Sequence, residues 1–166
     1  MKIKERLFRT AAKAAAGCRI RHFRGHGVHS PFAYRIVRTI YMKRHTLPAC
    51  GVIYDALLNA KCDRDGARII QAIFNDTGCD SCILNGHLIT TANYGNKQCL
   101  VIHTNMQYAI NDNNVYITCF AMPRRDKSYY QACMQAVKNH DGMSIDLRSV
   151  ILLFHDDRLN KEHIKL

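Results

Sequence analysis

The stretch that decides the fold runs from residue 115 to residue 154. It contains Val115-Tyr116-Ile117-Thr118-Cys119-Phe120, then Asp126 through Asn139, then Met143-Ser144-Ile145-Asp146-Leu147 and Val150-Ile151-Leu152-Leu153-Phe154. Three short, β-prone apolar runs enclose one segment of helical period. Apolar residues that continue rather than alternate mark strands covered on both faces. Between the first two runs, Tyr130, Cys133, Met134 and Val137 share one side of a helix over Asp126–Asn139, and Asp126 suits its N-cap. Only Arg148-Ser149 separate the last two runs, which predicts an antiparallel hairpin at a sheet edge. The expected fold class is α/β: a mostly parallel sheet with an antiparallel C-terminal hairpin and helices on both faces.

Toward the N-terminus, Cys99–His103 and Cys82–Leu84 read as further strands and His87–Thr91 as a weaker one. Helices are expected over Asp65–Phe74, stopped before Thr77-Gly78, and over Val52–Asn59. Another opens at Ser30-Pro31, with serine as cap and proline in the first helical position. Its buried face would be Phe32, Ile36, Val37 and Ile40. Residues 21–29 form a glycine-containing loop. Residues 2–16 form an amphipathic helix with Ile3, Leu7, Ala11 and Ala14 in one stripe. The chain divides into a basic helical arm, residues 1–45, and an α/β domain, residues 46–166.

Charge is the most uneven property of the chain. The first 45 residues hold twelve Lys or Arg and one acid, Glu5, whereas the other 121 hold twelve of each sign, so the net charge of +11 sits in the N-terminal quarter. Such asymmetry points to contact through residues 1–45 with a polyanion, whether RNA, DNA, an anionic membrane surface or an acidic partner, or to a solvated face that keeps the protein soluble. Arg19, Arg21 and Arg24 are the arm's candidate anion-binding residues.

A chain of 166 residues fits one hydrophobic core. Its apolar runs fall far short of the ~20 residues that span a bilayer. Ala15-Ala16-Gly17-Cys18 has the look of a lipoprotein cleavage site, but Arg9 and Lys13 interrupt the apolar core that an export signal requires. Eight dispersed cysteines, several within apolar runs, suit reduced thiols in a cytoplasmic protein.

The segment Arg21-His22-Phe23-Arg24-Gly25-His26-Gly27-Val28-His29-Ser30-Pro31-Phe32-Ala33-Tyr34 is similar to the "HGVHSPF" opening of a Bacteroidetes family of class I S-adenosylmethionine-dependent methyltransferase-like proteins. Ser144–Leu147, Ile151–Phe154 and Asn160-Lys161-Glu162-His163 resemble that family's closing hairpin and last strand. The resemblance covers roughly residues 20–60 and 110–166. It implies an abbreviated, Rossmann-like methyltransferase fold preceded by N-terminal helices, with S-adenosylmethionine as the possible cofactor beside Asn85 and Gly86. The site itself is thin. Close backbone approach to such a cofactor calls for a glycine-rich turn, and an acid at the next strand end would read the ribose. Here Cys82–Leu84 runs into Asn85-Gly86-His87 with one glycine, and no second strand ending in an acid follows. The expectation is a degenerate methyltransferase-like protein with weak or no catalysis and no cofactor held. The alternative is a non-catalytic module that binds RNA or another polyanion through the arm.

Other constellations carry less. Arg124 and Arg125 follow the strand Val115–Phe120 and could meet an anion, or stand as ordinary loop arginines. Cys79-Asp80-Ser81-Cys82 with Cys99 and His103 approaches zinc-ribbon spacing, but Cys99 and His103 on one strand would lie ~13 Å apart, so no metal is expected. The CxxC leads into a strand, not the helix that a redox pair requires. His22, His26 and His29 share the loop with no local carboxylate. Ser30 and Ser128 sit at helix starts without a base, and Asp156-Asp157 reads as a turn. Tyr129, Tyr130, Phe23 and Tyr34 lie near basic residues, as base-stacking platforms or as core and rim.

Overall fold

The computed structural model describes residues 30–91, 98–105 and 115–166. The first helix, α1 (Pro31–Arg35), starts as its residues dictate: the Ser30 hydroxyl accepts from the Ala33 amide and Pro31 occupies the first turn. It widens at once into a π-helical stretch, Ile36–Tyr41, closed by the Met42 amide on the Val37 carbonyl. Bonds that reach five residues back keep the pairs Ile36/Val37 and Ile40/Tyr41 on one face, and all four are buried. Within this stretch Ala33, Ile36, Ile40 and Tyr41 pack into the main core.

Helix α2 (Val52–Asn59) and helix α3 (Arg64–Thr77) follow. The Gln71 side chain of α3 accepts from the Ile53 and Tyr54 amides, both at 3.1 Å, and so caps α2. Gly51 lies against that carboxamide at φ 126°, where a Cβ would collide. Asp63 caps α3 through the Gly66 amide, and Gly78 ends it in the left-handed region.

Among the described residues, seven strands form one sheet: β1 (Ser81–Leu84), β2 (His87–Thr91), β3 (Cys99–His103), β4 (Val115–Ala121), β5 (Ser144–Asp146), β6 (Val150–Phe154) and β7 (His163–Lys165). Their order is β2-β1-β3-β4-β6-β5-β7. The sheet is mixed, not mostly parallel: three strand pairs are parallel and three antiparallel. One cause is the tight turn at Asn85-Gly86, which folds β2 back on β1. The other is that the C-terminal hairpin does not lie at the edge. β6 enters antiparallel between β4 and β5, and β7 covers β5. All five residues of β6 are buried, so the strand needs neighbours on both sides and helices over both faces. The edges go to polar β2 and to three-residue β7.

Among the described residues, helix α4 (Lys127–Asn139) is the one helix on its face of the sheet. Asp126 caps it through the Tyr129 amide; Tyr129, Cys133 and Val137 are buried against the sheet, with Tyr130 and Met134 partly buried beside them. Phe120, Ile151 and Leu153 point toward it. Their strand neighbours Cys119, Ala121, Leu152 and Phe154 point the other way, into the larger core under α1, α2 and α3. Among the described residues, no helix is long and apolar enough to cross a membrane.

Candidate anion-binding site at the carboxyl edge of the sheet

Parallel strands β1, β3 and β4 aim their carboxyl ends at one edge, followed by Asn85, Thr104 and Met122. In open α/β sheets this edge is where ligands sit. The β5–β6 turn and the α2–α3 junction reach the same edge and close a cavity of about 780 Å3. Five cationic side chains line it, Arg44, Lys61, Arg124, Arg125 and Arg148, against two carboxylates, Asp63 and Asp65. Cys62, Met122 and Leu147 provide apolar wall.

Each group is held by identifiable local structure. Arg124 follows β4 in a short 3-10 turn, Pro123–Arg125. Its guanidinium donates to Asp146 Oδ2 and to the Arg148 carbonyl, both at 2.6 Å, and lies 5.2 Å over the Tyr130 ring. Asp146 is fully buried and also accepts from the Arg148 amide at 3.0 Å. The pair pins the β5–β6 turn. There the Ser149 amide bonds the Leu147 carbonyl across Arg148 at φ 69°, which is the strained hand of a γ-turn. Lys61 stands at φ 61° where α2 ends, with Lys61 N on Leu58 O and Cys62 N on Leu57 O. This is the Schellman ending in which glycine is usual. Met122, at φ 50°, turns the chain after β4 and donates to the Ser149 carbonyl at 2.7 Å.

Non-glycine residues at positive φ are uncommon and collect at functional sites. Four occur among the described residues, and three of them, Lys61, Met122 and Arg148, line this cavity. Carboxylates pair with two of the five cations, Arg44 and Arg124, and leave the other three. Asp63 faces the amide of Gly66, and Asp65 is shared among Arg44, His45 and Arg68. Among the described residues, Lys61, Arg125 and Arg148 form no ion pair.

The residues expected from sequence fall differently. Asn85 and Gly86 form the two-residue turn between β1 and β2, at φ 49° and 83°. The Asn85 carboxamide bonds both the Thr104 hydroxyl at 2.8 Å and the Thr104 amide at 2.9 Å. The turn thus leads into an antiparallel strand rather than a helix whose amides could face a cofactor. Arg124 is fixed by Asp146, whereas Arg125 is exposed and reaches only the Thr104 carbonyl, at 3.3 Å. Ser30 is a cap, and Ser128 donates to Asp126 on the surface. The Tyr129 hydroxyl donates to the His103 carbonyl. Arg19, Arg21, Arg24, Phe23, His22, His26 and His29 lie outside the described residues, as does the helix expected over 2–16. Cys79, Cys82 and Cys99 are buried, with burial pushing the Cys79 thiol up to about 11 and the Cys82 thiol higher still. Among the described residues, no three His, Cys, Asp or Glu side chains are placed to hold a metal. Asp156 is tied to Arg158, whose hydrogen bonds draw its carboxyl down to about 2. Lys61 and Arg148 were not among the candidates. The available signal was a cation at a helix end and in a short turn, positions where glycine is the expected residue.

At the opposite edge, His140 and His155 meet at 4.9 Å in a smaller cavity of about 470 Å3. Burial, reinforced by His140, pushes the His155 imidazole down; burial also lowers His103 and His163. A histidine with a depressed folded-state pKa binds its proton more readily when unfolded. Stability from these three groups is therefore full above the ordinary value of 6.5 and declines as pH falls below it. We expect the urea midpoint to hold between about pH 8 and pH 7 and to fall from about pH 6.5 to about pH 5.5, and His155→Gln to reduce that fall. A midpoint constant over this range would contradict the assignment.

Compared with known proteins, the chain matches no family model, no curated protein and no solved structure.

Proposed function

We propose that this protein is a non-catalytic binding module for RNA. The observation that carries the reading is the confinement of the whole +11 charge to residues 1–45. The described end of that segment is anchored in the core, and its arginines stand beside aromatic rings. Arg35 lies 5.5 Å from the Phe32 ring, Arg38 lies 5.9 Å from Tyr34, and Arg44 lies 4.7 Å from Tyr41. Exposed Tyr34 with Arg38 offers a stacking face together with charge, the combination that holds single-stranded nucleic acid without reading its sequence.

The test is a gel-shift titration of the full chain with a single-stranded RNA of about 20 nucleotides. Five neutralised phosphates would lower affinity roughly 100-fold between about 50 and 200 mM salt. Replacing Arg19, Arg21 and Arg24 together by glutamine should weaken binding and flatten the salt slope by about two phosphates. No retention at low salt, or retention indifferent to salt, would overturn the reading.

An abbreviated methyltransferase-like protein is the second reading. It is favoured by the order β4, α4, β5 and an inserted antiparallel β6, a closing hairpin on a sheet whose centre is parallel. In the same experiment, melting with about 1 mM S-adenosylmethionine or S-adenosylhomocysteine separates the two readings. Binding would raise the melting temperature by mass action. An unmoved melt supports the non-catalytic module.

A further inference from the structure

The geometry points to a second, separate site: the carboxyl-edge cavity binds an organic phosphate of nucleotide size. Three cations without carboxylate partners among the described residues, Lys61, Arg125 and Arg148, approach it from three different loops. These three exposed cations, with Arg44 and Arg124 beside them, outnumber the lining carboxylates Asp63 and Asp65, a balance that favours a ligand group carrying more than one negative charge, such as a phosphate or diphosphate. A volume of about 780 Å3 is far more than one phosphate fills. It lies within the ~300–1,000 Å3 range of small-molecule sites. Apolar wall from Met122 and Leu147 would face the organic part of such a ligand.

The backbone supplies the independent observation. Lys61 and Arg148 each hold a cation at positive φ, where glycine would relieve strain and remove the charge. Neither contributes a side-chain bond to the fold among the described residues: Lys61 donates its amide, and Arg148 uses its amide and carbonyl. A glycine could make every one of those backbone bonds. What glycine could not supply is the charge facing the cavity.

The experiment uses the full chain, calorimetry and thermal melting. The probes are adenosine, guanosine, cytidine and uridine diphosphates, inorganic pyrophosphate, and uncharged adenosine. At least one diphosphate should raise the melting temperature by about 5–10 °C at a hundredfold excess over its Kd, and adenosine should leave it unmoved. The double variant Lys61→Gly with Arg148→Gly should lose at least about tenfold in diphosphate affinity while melting no lower than the parent chain. Arg125→Gln, an exposed change, should lose several-fold and provides the check if the double variant folds poorly. No heat and no shift with any probe would overturn the inference, as would full affinity in both variants. The glutamine variant of Arg19, Arg21 and Arg24 should keep diphosphate binding, so failure of the RNA reading and failure of this one are distinguishable. Diphosphate and RNA that compete, with both lost in the glycine variant, would show one shared surface and overturn the claim of a separate site.

Discussion

Asp146→Ala is expected to cost about 3–5 kcal/mol, the range found when one partner of a buried ion pair is removed. Asp146 is fully buried, and Arg124, its partner at 2.6 Å, keeps only 19% of its side chain exposed. Removing the carboxylate leaves the guanidinium under Tyr130 with the Arg148 carbonyl alone, and leaves the Arg148 amide without its acceptor. The β5–β6 turn loses both anchors at once. For a domain of this size the melting temperature should drop by roughly 6–20 °C. A paired replacement, Arg124→Met with Asp146→Leu, separates lost pairing from lost packing. Because buried pairs are often replaceable by apolar groups of similar volume, the double variant should recover most of the loss. A single variant within about 1 kcal/mol of the parent would show that the pair is solvated and structurally incidental.

Phe154→Ala is the second large effect, at about 3–5 kcal/mol by chemical denaturation. Among the described residues Phe154 is the largest fully buried side chain, on a strand flanked on both sides. Its ring meets Phe32 edge-on at 5.0 Å, so it ties the start of α1 to the centre of the sheet. Truncation opens a void that rigid neighbours on β4 and β5 cannot fill, and it loosens Phe32. Phe154→Leu should cost less than half as much, since most of the volume remains. Equal costs for the two variants would mean that the Phe32 edge contact, not the void, dominates. The Ser30-Pro31-Phe32 motif thus has a structural account of its own: a cap, a first-turn proline and a ring that docks on β6.

Much of this architecture was legible because it is local. Ser30 and Asp126 cap the helices they were expected to cap, and Val52–Asn59, Cys99–His103 and Val150–Phe154 have the bounds that their apolar patterns imply. The position of β6 was not legible. Two residues between two strands require a hairpin, but which of the two lies inward depends on pairing with β4, some thirty positions away. Asn85-Gly86 was read as a cofactor candidate and not as the two-residue turn it forms. Asn-Gly between Leu84 and His87 is the strongest short hairpin signal, and it produces the fold-back observed. Of the candidate site, Arg125 was visible as a cation after a strand end. Lys61 and Arg148 were not, because nothing in a lysine or an arginine announces positive φ; the closure of the surrounding turns imposes it.

The thiols beneath the sheet have a consequence for how the molecule can be lost. Cys62, Cys79, Cys82, Cys99, Cys119 and Cys133 are all buried, and burial drives the Cys62, Cys79, Cys82, Cys119 and Cys133 thiols upward. In the native state these sulfurs are inert filler, closer to methyl groups than to nucleophiles. Opening the domain in air returns them all to ordinary acidity together, within reach of one another on a short chain. Crosslinking then competes with return, so excursions that are harmless under reducing conditions become one-way under oxidising ones.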